Sequence, residues 1–146
     1  MRLRSLVTMS LAVLAVPLSS QEATVVANEW YEVEILRVEQ VDSLHGGMVR
    51  PDSANDAFLM VYLETEDPCF DPQRNHECFD AALDELEKLA WACGHVVVEG
   101  DELLADGGGV LEEKLACSFV VEAGTTDLTL VLRDYPAVEL RARDSS

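Results

Sequence analysis

Lysine is scarce in this sequence, where only Lys88 and Lys114 occur, and 10 basic residues stand against 28 acidic ones. The formal net charge is −18 at pH 7. Because binding to phosphates depends on displacing counterions with Lys and Arg, this balance argues against nucleic acid and anionic membrane surfaces as partners. The acidity suits either a divalent-cation site or adaptation to salty surroundings, and the shortage of lysine along the whole chain favours the second interpretation.

A hydrophobic run long enough to span a bilayer, which takes about 20 residues in a helix, is absent. The apolar run over residues 6–16 follows Arg2 and Arg4 and precedes Pro17, which is the order of an export signal. We therefore expect a secreted or periplasmic protein with no membrane insertion after cleavage. The expected segments are a signal peptide at 1–20, a flexible N-terminus at 21–28 and a β-sandwich domain at 29–146.

Cysteine is missing before position 69, which excludes a lipid-bearing cysteine after the expected cleavage point, and no Cys-x-x-Cys pair occurs. Four cysteines in an exported chain predict disulfides. Cys69 and Cys78 would close a compact polar loop, and Cys93 and Cys117 would join the middle of the chain to a later strand, although other pairings are open. The alternative is zinc bound by Cys69, His76, Cys78 and Cys93.

Sequence signatures of catalysis are also missing. No Gly-x-Ser-x-Gly elbow occurs, and no P-loop lysine follows the glycines at 107–109, which we expect to form a hinge or loop tip. The histidines His45, His76 and His95 are scattered. We therefore expect a non-enzymatic binding or interaction module. A metal-dependent or carboxylate-based hydrolase of the envelope is the alternative, and only the abundance of acidic residues favours it.

Alternating apolar and polar residues predict half-buried strands. Tyr31, Val33 and Ile35 alternate with glutamates, and the apolar positions then shift to Leu36, which indicates a β-bulge. The unbroken apolar run over 58–63 predicts a central strand covered on both faces.

The later sequence predicts further strands and one helix. Helical spacing indicates a short helix over 79–90, a β-rich stretch follows at 91–98, and 101–109 is rich in turn residues. Two alternating strands are joined by a hairpin connection at 124–126, and a last strand follows Pro136. The pattern predicts an all-β fold, an antiparallel β-sandwich with one short helix in an insertion.

The order of these segments resembles that of a known family. A bulged first strand, the loop with Arg50 and Pro51, the segment 55–63, and the segment 119–121 followed by Gly124 resemble a bacterial family of exported immunoglobulin-like domains. That family is similar to the mycobacterial immunoprotective extracellular antigen. The resemblance implies an immunoglobulin-like sandwich and a secreted, non-enzymatic module, and it supplies no catalytic residues. The chain departs from the family in its cysteine-rich stretch at 67–80.

Two sets of candidate binding residues remain. Closing the loop between Cys69 and Cys78 could gather oxygen ligands for calcium, the one cofactor that the sequence suggests. Large aromatics outside a core often anchor a partner, here an unknown protein or envelope component, although core packing is the alternative fate. The calcium candidates are Asp67, Asp71, Glu77 and Asp80, and the partner-binding candidates are Trp30, Tyr31 and Trp91.

Overall fold

Two β-sheets, antiparallel except for one short strand, face each other across a shared cluster of buried apolar side chains. This arrangement comes from a computed structural model, which describes residues 24–71, 73–78 and 83–144. The predicted signal peptide at 1–20 lies outside the described residues.

The described chain contains ten strands and one α-helix. In chain order they are β1 (Thr24–Ala27), β2 (Glu32–Val41), β3 (Asp56–Thr65), α1 (Glu85–Cys93), β4 (His95–Val98), β5 (Asp101–Leu104), β6 (Gly107–Leu111), β7 (Lys114–Glu122), β8 (Asp127–Val131), β9 (Val138–Arg141) and β10 (Arg143–Asp144). Short 3-10 helices at Pro68–Phe70 and Asn75–Cys78 lie between β3 and α1. The large sheet has the order β1-β2-β3-β7-β6, with β10 parallel to β2, and the small sheet has the order β5-β4-β8-β9.

The predicted all-β sandwich with one short helix is confirmed. Strand β3 lies between β2 and β7, and Leu59, Val61 and Leu63 belong to the shared core, as expected for a central strand. The register between β2 and β3 shifts between Ile35 and Arg37, which confirms the predicted bulge. The extra residue keeps the apolar side chains on both sides of the shift facing the core.

The helix begins and ends later than the spacing predicted. In the described chain it starts at Glu85, where the side chains of Asp84 and Glu87 each accept the other residue's backbone N–H, while residues 79–82 lie outside the described residues. It continues to Cys93, so the prediction of β structure was wrong for residues 91–93 and right for 95–98, which form β4. Gly94 ends the helix with φ 65°, and a Cβ there would overlap the carbonyl oxygen of Val131.

The glycines at 107–109 form part of a strand, so the prediction of a loop tip was wrong. They belong to β6, which pairs with β7, and β5 occupies most of the preceding stretch that was expected to be turns. Gly108 has φ 141°, and a Cβ there would overlap the carbonyl oxygen of Ala116. Glycine here permits close approach to the neighbouring strand, a role that produces no apolar alternation in the sequence.

The connection at residues 124–126 is not a hairpin. Strand β7 belongs to the large sheet and β8 to the small sheet, so the chain crosses between sheets at this point. The side chain of Gln40, which is only 3 % exposed, accepts the backbone N–H of Gly124 at 2.7 Å and anchors the crossing to β2. Alternation had identified both strands correctly but could not identify their partners.

Two disulfides join the pairs favoured by the sequence. Cys69 and Cys78 close the short loop, and Cys93 and Cys117 connect the end of α1 to β7 in the core. Because all four sulfurs are bonded in pairs, they cannot provide thiolates for the zinc alternative. The predicted flexible N-terminus needs one correction, since residues 24–27 pair with β2 as β1.

Candidate functional site

Trp30 and Tyr31 lie at the surface in the turn between β1 and β2. Trp30 is 74 % exposed and Tyr31 is 39 % exposed. The side-chain oxygen of Asn28 accepts the backbone N–H of Trp30 at 2.8 Å and that of Tyr31 at 2.9 Å, which fixes the turn. Local hydrogen bonds therefore fix the backbone that carries both rings, and the rings lie at the surface and not in the core.

These two aromatic residues line a groove of about 950 Å³. Its base includes Val25, which is 54 % exposed and pairs across the strands with Glu34. No lysine or arginine is among the lining residues, all of which the structure describes. The carboxylates in the lining are Glu29, Glu32, Glu34, Glu64, Glu66 and Glu113. The groove therefore combines apolar and aromatic surface with a high density of negative charge.

Two of these glutamates face each other directly across neighbouring strands. Glu34 of β2 is the register partner of Glu64 of β3. Side chains in this arrangement have Cβ atoms about 5 Å apart, and like charges so placed destabilise the sheet. Neither carboxylate forms an ion pair with a residue that the structure describes.

A third glutamate reaches the groove from a strained turn. Glu112 and Glu113 form the two-residue turn between β6 and β7, with φ values of 52° and 67°. Turns of this shape favour Asn-Gly, because most side chains disfavour positive φ. The turn between β4 and β5 also has positive φ at its two central residues, but there the second residue is a glycine, Gly100 after Glu99. Of these two turns, the one at the groove therefore has a side chain at both positive-φ positions.

A smaller cavity of about 460 Å³ adjoins the groove through shared residues Thr65, Glu66 and Glu113. The loop closed by Cys69 and Cys78 contributes Asp71, Gln73 and Arg74 to its wall. The two hollows together follow the ends of β2 and β3 and the turn between β6 and β7.

Asp67 lines this smaller cavity but is 7 % exposed and fully engaged by hydrogen bonds. One carboxylate oxygen accepts the backbone N–H of Cys69 at 3.0 Å, and the other accepts the hydroxyl of Tyr135 at 2.7 Å. Burial, followed by the hydrogen bond to Asp67, raises the pKa of Tyr135 well above its ordinary value. The ring of Tyr135 also makes an edge contact with Phe70, with centroids 5.5 Å apart. Asp67 therefore ties the disulfide loop to the chain beyond β8.

Two of the calcium candidates, Asp67 and Asp71, line the same small cavity, but the described candidates form no metal-binding group. Asp67 is engaged as above, Asp71 accepts the backbone N–H of Gln73 at 2.9 Å, and Glu77 is exposed beside His76. Asp80 lies outside the described residues. Within the described ranges, no group of three His, Cys, Asp or Glu side chains is placed to hold a metal ion. Calcium binding stays a prediction of the sequence.

Trp91, the third aromatic candidate, is separate from the groove lining. It lies half-buried on α1, with the guanidinium carbon of Arg133 4.7 Å from its ring centroid. Sequence reasoning thus identified Trp30 and Tyr31 but missed the glutamates around them. Alternation places Glu32 and Glu34 on one face of β2, whereas the register that brings Glu64 alongside cannot be read from the sequence.

Comparisons of the chain with protein-family models, curated proteins and solved structures found no match. Within residues 24–144, where described, no helix has the length and apolar character needed to cross a membrane.

Proposed function

We propose that this chain is an exported, non-enzymatic binding module and that the groove beside Trp30 and Tyr31 is its recognition surface. Two disulfides support an oxidising compartment, and the leader-like sequence at 1–20 supports export. The resemblance to exported immunoglobulin-like domains agrees with such a role.

The exposure of Trp30 is the observation on which the proposal depends. A tryptophan that is 74 % exposed leaves a large apolar ring in water, and it does so on a turn fixed by Asn28. Tryptophan and tyrosine are enriched among the residues that dominate binding energy at protein interfaces. A rigid turn that presents both rings next to a groove is therefore arranged as a preformed anchor.

The first test replaces this anchor and measures capture of envelope components. Immobilised wild-type protein, Trp30→Ala and Leu104→Ala would be exposed to envelope and culture-supernatant fractions, and any component retained would be purified and titrated by calorimetry. Leu104 is a matched control because it is 66 % exposed but lies on the edge strand of the small sheet. We expect Trp30→Ala to weaken binding by about 30-fold, which corresponds to a loss of about 2 kcal/mol.

Leu104→Ala should bind like the wild type. Equal affinity of Trp30→Ala and wild type for the purified component would contradict the assignment of the recognition surface. A retained component that is consumed and released as a chemically altered product would contradict the non-enzymatic role.

A further inference from the structure

We propose that the ligand of the groove is an extended polypeptide segment that contains lysine or arginine, with one cationic side chain seated against Trp30. This inference rests on the proposed function and adds the chemistry of the partner. It follows from the charge of the lining, the presence of the aromatic rings and the shape of the two adjoining hollows.

The charge of the lining selects a cation. Six glutamates and no basic residue line the groove, so its field attracts positive groups and repels anions. The directly opposed pair Glu34 and Glu64 has no ion-pair partner among the described residues. A positive charge placed between the two carboxylates would be attracted to both and would offset their mutual repulsion.

The aromatic and apolar surface favours a long organic side chain over a bare metal ion. An ammonium or guanidinium group is attracted to the face of a tryptophan ring, and the methylene stem of lysine or arginine packs on apolar surface. Val25 provides such surface as the register partner of Glu34, and Trp30 and Tyr31 line the same groove. A metal ion would make no use of these three side chains.

The shape favours an extended chain. The groove spans residues of β1, β2 and β3 and continues through Glu66 and Glu113 into the smaller cavity, so the two hollows form a path and not a closed pocket.

The test uses Trp30 as its own reporter. The chain has two tryptophans, so Trp91→Phe leaves Trp30 alone. This protein would be titrated with an octapeptide of alternating lysine and serine, with the same peptide acetylated on every lysine, and with a glutamate-serine peptide. We expect a saturable change in fluorescence with the lysine peptide only, and calorimetry should give a one-to-one complex.

A matched pair of double variants separates a specific site from general attraction to an acidic protein. Glu34→Gln with Glu64→Gln removes the opposed pair in the groove. Asp56→Asn with Glu122→Gln removes another opposed acidic pair, at the other end of β3, and changes the net charge equally. We expect the first double variant to weaken lysine-peptide binding at least tenfold and the second to change it less than twofold.

Equal weakening by both double variants, or equal binding of the acetylated peptide, would overturn this inference. The outcome for the proposed function is distinguishable. A component captured through Trp30 that the lysine peptide fails to displace would leave the recognition surface standing and refute the cationic ligand. Circular dichroism and thermal unfolding of each variant would verify that the sheets remain folded.

Discussion

The junction where α1 meets both sheets, formed by Cys93, Gly94 and Cys117, differs from the groove beside Trp30 in how its residues affect stability. At the junction, Cys93 and Cys117 are bonded in the core, and the missing side chain of Gly94 lets the chain pass the carbonyl oxygen of Val131. In the groove, by contrast, like charges oppose each other, a tryptophan ring faces water and glutamates occupy left-handed positions. Residues that reduce stability persist most readily where binding requires them, and this contrast agrees with the proposal that the groove is the recognition surface.

The largest effect should come from the junction. Replacing both Cys93 and Cys117 by alanine should lower the free energy of unfolding by about 3 kcal/mol through the unfolded chain, with a further loss because both side chains are buried. The matched variant is Cys69→Ala with Cys78→Ala, whose half-buried bridge closes a shorter loop. Urea unfolding measures both. A greater loss from the second variant would break the comparison.

An intermediate effect should come from Tyr135, whose partner Asp67 lines the cavity next to the groove but is itself buried. Tyr135→Phe leaves one oxygen of Asp67 without its donor and should lower stability by about 1 to 3 kcal/mol. The raised pKa of Tyr135 also makes stability depend on pH. In the unfolded chain the tyrosine ionises at about pH 10, whereas in the native protein it keeps its proton. The contribution of Tyr135 to the free energy of unfolding is therefore fully present below that pH. Above it, the contribution falls by up to about 1.4 kcal/mol per pH unit.

Urea unfolding at a series of pH values, with Tyr135→Phe as the comparison, isolates this contribution. The variant should lose less stability than the wild type between about pH 10 and pH 11. If the free energy of unfolding changed with pH in the same way for both proteins, the pKa of Tyr135 would not be raised in the native state.

The smallest effect should be a gain in stability at the groove. Glu112→Asn with Glu113→Gly gives the turn between β6 and β7 residues that accept positive φ, and we expect a gain of about 1 kcal/mol in thermal unfolding. The reciprocal control is Gly100→Ala in the turn between β4 and β5. A Cβ there meets open space, so its expected loss of about 1 kcal/mol comes from backbone conformation alone. A loss of stability in the first variant would show that the glutamates make contacts that outweigh the strain.

Local patterns predicted β2, β3, β7 and β8, in which burial of side chains leaves an apolar pattern, but missed β1, β5 and β6. Val33 and Ile35 indicated a strand, the shift of the apolar positions to Leu36 and Val38 indicated its bulge, and the run over 58–63 indicated the central strand. The partners of the strands were not predictable, since pairing depends on contacts distant in sequence. The predicted hairpin after β7 was therefore wrong, and the opposition of Glu34 and Glu64 was not predicted.

Glycine and tryptophan show a second limit of sequence reasoning. Gly108 lies in a strand because its missing side chain admits the neighbouring backbone, yet the same residue type usually indicates a turn. Trp30 is exposed because Asn28 fixes its turn, whereas tryptophans next to strand patterns are usually buried. In both cases a specific local geometry outweighs the average behaviour of the residue.

One consequence of the fold concerns self-association. The edge of β2 opposite β3 pairs with two different strands. Residues 32–35 pair with β1, which is antiparallel, and residues 39–40 pair with β10, which is parallel. The border of the large sheet is thus formed by two short strands of unequal direction, separated near the bulge. A long straight strand from another molecule therefore finds no continuous row of free backbone groups there, which disfavours edge-to-edge pairing along this side.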